Sequence, residues 1–224
     1  SQFETMQCLT VARSEALLQS RDKLRCLQKL ARCGIEVPRS AFVAVGQDLM
    51  PLLREVGGLP IVIKMLESTH GNGVILAETY RTAESVIEAF QRLGERFIIQ
   101  EFIREAKGAD IRALVVAGEV VATMKRQARS GEFRSNLHRG ASAEVAALTE
   151  EEEEIVRKSV KMLGLDVAGV DFLRSSRGPL VMEVNASPGL EGIEGITGVD
   201  VAGKIIEFIE KRWSELRNYQ ANNR

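Results

Sequence analysis

Asp171, Glu183 and Asn185 interrupt two short apolar runs, Val167 to Leu173 and Leu180 to Val184, which are separated by Ser175, Ser176, Arg177 and Gly178. That composition predicts two strands joined by a hairpin turn. Side chains alternate between the faces of a strand, so Glu183 and Asn185 share one face, and Asp171 can reach it from the partner strand. Two carboxylates and an amide oxygen are the donors a hard divalent cation prefers, with phosphates completing its shell. A lone acidic residue is most often a solvated one. Three polar groups breaking apolar strands, followed by the small, turn-forming Ala186-Ser187-Pro188-Gly189, point instead to a magnesium–nucleotide site.

Two further segments supply what such a site needs. Pro60-Ile-Val-Ile-Lys64 reads as a buried strand ending in a lysine, which is costly there unless its ammonium meets an anion. The glycine-containing stretch Glu67 to Gly73 follows, then the apolar run Val74 to Ala77, so the glycines form a loop between strands that can lay backbone N–H groups over phosphates. Neither the Walker pattern nor G-x-G-x-x-G is present. Phe97-Ile-Ile-Gln-Glu-Phe-Ile103 is a buried strand carrying Gln100 and Glu101 where a purine edge could meet it, with Asp110 and Arg112 on the next strand.

Taken with Ser20-Arg-Asp-Lys-Leu24, Phe133 to Gly140 and Met182 to Gly192, these segments resemble the ATP-grasp enzymes, and among them the RimK type of L-glutamate ligase, over nearly the whole chain. The resemblance implies an α+β ATP-grasp fold of two α+β subdomains with ATP between them. It implies that Lys23 and Lys64 hold the nucleotide phosphates, that the loop with Gly71 and Gly73 covers them, that Glu101 and Phe102 form the adenine hinge and that Asp110 lies near the ribose. Arg134, Ser135 and Asn136 fall on a further nucleotide-contacting loop. Asp171, Glu183 and Asn185 would bind two magnesium or manganese ions, with Glu183 bridging them, and Arg126 and Arg139 are candidates for holding an acidic substrate. The implied reaction is ATP-dependent: a carboxylate is activated as an acylphosphate and an amine attacks it, adding L-glutamate to the C-terminal tail of a ribosomal protein. A homo-oligomer is expected from the family. Its members also carry an N-terminal α/β domain, near whose end this chain starts, so a fragment retaining nucleotide binding alone is an expectation too. Relatives acting on a carrier protein or small peptide, and a non-catalytic nucleotide-binding module, are the alternatives.

Phosphoryl transfer asks chiefly for positioning and charge neutralisation. That suits a chain with only two histidines, His70 and His138, both in polar loops beside glycine, and no nucleophile–base arrangement. The net charge of −1 argues against a nucleic-acid surface. Charge is nonetheless uneven. Lys125, Arg126, Arg129, Arg134 and Arg139 cluster in a segment that could attract glutamate-rich substrates, while Glu150 to Glu154 suit a helix N-terminus capped by Thr149. Cys8, Cys26 and Cys33 lack metal-ligand spacing and read as reduced thiols, and no apolar run reaches membrane-spanning length, so a cytoplasmic protein without membrane contact is expected.

The elements that must position these groups follow from periodicity. A helix is expected from Ser14 to Cys33, ended by Gly34 and Pro38, then a strand Ala41 to Val45 and helices near Gln47 to Val56 and Thr82 to Leu93. Two longer strands meeting at Gly118, a helix from Thr149 to Leu163 and an amphipathic helix from Val201 to Arg217 complete the pattern, with a frayed tail from Asn218. The expected division is an entering segment at 1–35, a smaller subdomain at 36–107 and a larger one at 108–224.

Overall fold

The computed structural model describes residues 1–66 and 73–222; the side chains of Arg139 and of residues 219–222 lie outside that description. The loop containing Gly71 and His70 is therefore outside the described residues. In chain order the elements are α1 (Gln2–Thr5), α2 (Ser14–Arg21), α3 (Lys23–Arg32), β1 (Ser40–Phe42), α4 (Leu49–Glu55), β2 (Ile61–Met65), β3 (Val74–Ala77), α5 (Tyr80–Arg92) and β4 (Phe97–Glu101). A 3₁₀ turn at Arg104–Ala106 leads to β5 (Ala109–Val116), β6 (Glu119–Gln127), a second 3₁₀ turn at Leu137–Arg139, β7 (Ser142–Val145), α6 (Glu150–Leu163), β8 (Val167–Ser175), β9 (Gly178–Asn185), α7 (Glu191–Thr197) and α8 (Val201–Asn222).

Among the described residues the strands form two antiparallel sheets, of order β1-β4-β2-β3 and β7-β6-β5-β8-β9. The smaller sheet buries Ile61, Ile63, Phe97 and Ile99 against Leu49, Leu52 and Leu53 of α4 and Ala83 and Ile87 of α5. Alternation sends Val62, Lys64, Ile98 and Gln100 to the opposite face. The larger sheet packs Ile111, Ala113, Val115, Ala168, Val170 and Phe172 against Val156, Val160 and Leu163 of α6. Its other face is apolar at one end, where Leu114, Val116 and Met124 meet Ile193 of α7 and Val201 of α8, and charged at the other.

The expected continuous helix from Ser14 to Cys33 breaks in two. Asp22 has extended backbone (φ −83°, ψ 102°) and its carboxylate accepts the Arg25 N–H at 3.1 Å, so it caps α3 and makes Lys23 the first helical residue. Periodicity alone does not show the break, because both halves are apolar on compatible faces. Helix α3 then serves both sheets. Cys26 and Leu30 join the core of the larger one, while Leu27 packs with Leu66 and Ile98 of the smaller one. Burial pushes the Cys26 thiol up to about 11, so it is an inert packed thiol.

Other expectations meet the structure closely. Thr149 caps α6 in a reciprocal capping box with Glu152. Gly118 lies in the turn between β5 and β6 with φ +82°. Helix α8 continues past Arg217 to Asn222, with no glycine or proline to stop it. Among the described residues no helix is long and apolar enough to cross a membrane.

Candidate active site

The hairpin of β8 and β9 places Asp171 directly opposite Glu183, and Asn185 opposite Gly169. A register shift decides this pairing. Phe172 pairs with Val181, yet Asp171 pairs with Glu183, so Met182 is the extra residue of a bulge. Without it Met182 would face Asp171. The next strand continues the row, since Arg112 of β5 is the cross-strand partner of Asp171. Its Nε and Nη2 donate to the two carboxylate oxygens at 2.7 and 2.6 Å.

Arg126 of β6 extends the network. It grips Asp110 through Nε at 2.7 Å and Nη2 at 2.6 Å, and the same Nη2 donates to Asp171 at 2.9 Å. Arg126 and Asp110 are almost wholly buried, with side chains 5% and 4% exposed. Burial acts against every one of these charges. Around Asp171 it is overcome by Arg112 and Arg126, which hold the carboxyl well below the usual range. The Arg126 guanidinium is likewise held above its ordinary value by Asp171 and Asp110 despite its burial. Burial presses Asp110 upward, against the pull of its two charge-assisted bonds from Arg126.

Glu183 has a different environment. Among the described residues no donor hydrogen-bonds its carboxylate, and burial together with repulsion from Asp171 raises its pKa. The cations acting on it are Arg112, Lys64 and Lys23, and both lysines are lowered chiefly by burial and drawn by the Glu183 charge. Lys23 Nζ also donates to the carbonyls of Met65 and Leu66 at 3.2 and 3.3 Å, which ties the start of α3 to the end of β2. Both lysines and Glu183 are half-buried, and their charges act on one another between the two sheets.

The segment from Ala128 to Gly140 reaches the smaller sheet through Arg134. Arg134 is clamped by Glu132 through Nε and Nη2 at 3.0 and 2.7 Å, and its Nη1 reaches the Val74 carbonyl of β3 at 3.3 Å. Bonds from Arg134 and Phe133 drop Glu132 to about 2. The Phe133 ring meets Phe102 edge-on at 6.3 Å and carries the Arg134 guanidinium 5.5 Å from its centroid. Ser135 lies near Asp110 and favours its charged form, and Asn136 precedes the 3₁₀ turn that contains Arg139. Gly73 has φ +66°, and a Cβ there would lie 2.5 Å from Met65 Sδ.

The Glu101 carboxylate points elsewhere than a nucleotide base. It accepts the Arg39 N–H at 2.7 Å and pairs with Arg177 in the β8–β9 turn, while Ser176 of that turn donates to Glu105 at 2.8 Å. The turn is thereby fastened to the connection between the sheets. Sequence reasoning placed Arg112 on the strand with Asp110 and Arg177 in the hairpin turn without giving either a role, and passed over Glu132. Only Arg112 left a signal, since its i, i+2 spacing from Asp110 puts both on one face of β5.

The donors fit a hard cation. Among the described residues no three His, Cys, Asp or Glu side chains gather as a metal site, so the set rests on two carboxylates and one amide. Glu183 is a half-buried carboxylate that no donor among the described residues hydrogen-bonds, which a cation would compensate. Asn185 Oδ1 accepts the Ser187 N–H at 2.9 Å and keeps a second lone pair.

A family model described as the RimK-like ATP-grasp domain matches residues 20–209. The chain is 59% identical over 210 residues to a protein of Teredinibacter turnerae named "Probable alpha-L-glutamate ligase", covering 94% of this chain and 70% of that protein. A Trichodesmium erythraeum protein of the same name is 58% identical over equal shares. Among solved structures, the ATP-grasp ligase PsnB complexed with a minimal precursor variant, Mg and ADP superposes with a TM-score of 0.73 at 22% identity, over 93% of this chain and 64% of that one. The D-alanine–D-alanine ligase of Bacillus anthracis complexed with ATP gives 0.75 at 21%, over 98% and 75%. At such identities these two structures speak for the fold alone. On the family match and the near-60% relatives, the chain belongs to the RimK-like ATP-grasp family of ATP-dependent ligases.

Proposed function

We propose that this chain activates a C-terminal carboxylate with ATP and joins it to the amine of L-glutamate, the acceptor being the tail of a ribosomal protein or a growing glutamate chain. The observation that carries the reading is the charge layout between the sheets: Lys23 and Lys64 both meet the charge of Glu183, and Lys64 also that of Asp171. Relatives named for glutamate ligation support the choice of amine.

Lys23 and Lys64 would neutralise the nucleotide phosphates, under the loop with Gly71 and Gly73. Because the Glu101 side chain is committed to Arg39 and Arg177, the backbone of Glu101 and Phe102 would serve the adenine, with Asp110 toward the ribose. Arg134, Ser135 and Asn136 would close over the phosphates. Asp171, Glu183 and Asn185 would hold magnesium or manganese, Glu183 between two ions. Bound there, the metal supplies charge neutralisation for phosphoryl transfer. In the first step a carboxylate oxygen attacks the γ-phosphorus and ADP leaves. The amine nitrogen then attacks the acyl carbon, phosphate departs with the C–O electron pair, and the nitrogen loses a proton. No side-chain nucleophile is required.

Arg126, with its donors on Asp110 and Asp171, fits a positioning role better than substrate contact. Arg139 remains a candidate on sequence alone. The two sheets fall on either side of a division near residues 107 and 108, in support of the units 36–107 and 108–224. A cytoplasmic homo-oligomer completes the reading. The test is ADP release with ATP and magnesium, with and without L-glutamate and a peptide ending in glutamate. Release that requires both organic substrates is expected; release indifferent to glutamate overturns the choice of amine.

A further inference from the structure

The turn of the β8–β9 hairpin is closed on itself. Ser175 Oγ donates to the Gly178 carbonyl at 2.7 Å and accepts the Arg177 N–H at 3.1 Å, so Arg177 extends from a fixed backbone. Its guanidinium donates through Nη2 to Glu101, the last residue of β4. The accepting oxygen, Oε1, is the one that also takes the Arg39 N–H at 2.7 Å, and the Glu101 N–H returns a bond to the Arg39 carbonyl at 2.9 Å. One carboxylate oxygen therefore joins the entry to β1, the end of β4 and the turn of the larger sheet. Beside it, Ser176 on Glu105 at 2.8 Å and the Val181 N–H on the Glu36 carbonyl at 2.9 Å fasten the same hairpin.

An ion pair whose arginine is 37% exposed adds little to stability, since such pairs are solvated and screened. The importance of this one lies in its place. From Ser175, paired with Gly178, the hairpin runs along β8 to Asp171, paired with Glu183, a length of about 13 Å. One rigid hairpin thus carries the two carboxylates along its length and grips, at its turn, the residue at the end of β4.

We infer that Arg177 is a positioning residue for the nucleotide: by holding Glu101 it sets the distance between the adenine hinge at Glu101 and Phe102 and the carboxylates Asp171 and Glu183. The inference rests on the nucleotide placement of the ligase reading and adds to it the part that fixes its span. A ligand held at two points gains from the link between them only while the two subsites keep the spacing of its own groups. Without Arg177, Glu101 keeps both bonds to Arg39, so the hinge itself survives. What is lost is its registration against Asp171 and Glu183.

The test compares Arg177→Gln and Arg177→Lys with the parent protein by calorimetry in magnesium. The titrants are a non-hydrolysable ATP analogue and, as competitors of that analogue, adenosine and inorganic tripolyphosphate. Arg177→Gln is expected to weaken the analogue by roughly tenfold while adenosine and tripolyphosphate bind as they do to the parent, because each half-site is intact and only the benefit of joining them falls. Arg177→Lys keeps the charge without the planar fork and should recover part of the loss. Thermal melting checks that both variants fold. Weakening of adenosine or tripolyphosphate along with the analogue, or an analogue bound as tightly as by the parent, overturns the role of Arg177. A parent protein that does not bind the analogue overturns the nucleotide reading itself.

Discussion

Asp171 and Glu183 stand opposite one another on β8 and β9, yet one is held ionised by two guanidinium groups while the other has no donor among the described residues. Neighbouring like charges divide their roles in this way because the arginines hydrogen-bond only one of them. Asp171 is a fixed anchor, and Glu183 is the carboxylate that no donor among the described residues hydrogen-bonds.

The pH dependence of stability follows from Glu183. Burial raises its folded pKa above the ordinary 4.5, so the folded chain keeps a proton that the unfolded chain has released. Its contribution to stability is therefore greatest at low pH and declines as pH climbs from the ordinary value through the raised one. Glu183→Gln should remove that decline, gaining on the parent as pH rises in urea denaturation without metal. Parallel curves for the two proteins would contradict it. The same variant should lose ADP release while still binding nucleotide.

Arg126 closes the buried network, so Arg126→Met should strip donors from Asp110 and Asp171 and cost about 3–5 kcal/mol. Adding Asp110→Asn should recover much of the loss, because an amide tolerates the site without a cation. Urea midpoints of the single and double variants measure this, and strict additivity would show that the pair is not coupled.

Glu132 occupies the donors of Arg134 that a phosphate would want. Glu132→Gln is expected to tighten nucleotide binding severalfold and to make it more sensitive to salt. Weaker binding in calorimetry would mean that Glu132 instead orders the segment for its ligand.

Gly73→Ala should destabilise the chain by about 1–2 kcal/mol, since its φ of +66° disfavours a side chain and the added Cβ meets Met65. An accompanying rise in the KM for ATP is expected. Melting temperature and steady-state kinetics check the two effects separately.

What the sequence determined by itself was the inventory and its local setting. Alternation along apolar strands announced Asp171, Glu183 and Lys64, and the Thr149 cap and the Gly118 turn are written in short-range chemistry that needs no partner element. What only the tertiary structure decided was which groups meet. The break at Asp22 that starts α3 on Lys23 depends on α3 packing against both sheets at once. The bulge at Met182, which turns Glu183 rather than Met182 toward Asp171, is a property of the β8–β9 register. The pairing of Arg126 with Asp110, the capture of Glu101 by Arg177 and the hold of Arg112 on Asp171 all join residues far apart in the chain. Such pairings are settled by strand order and burial, because a buried charge takes the partner the fold brings within reach.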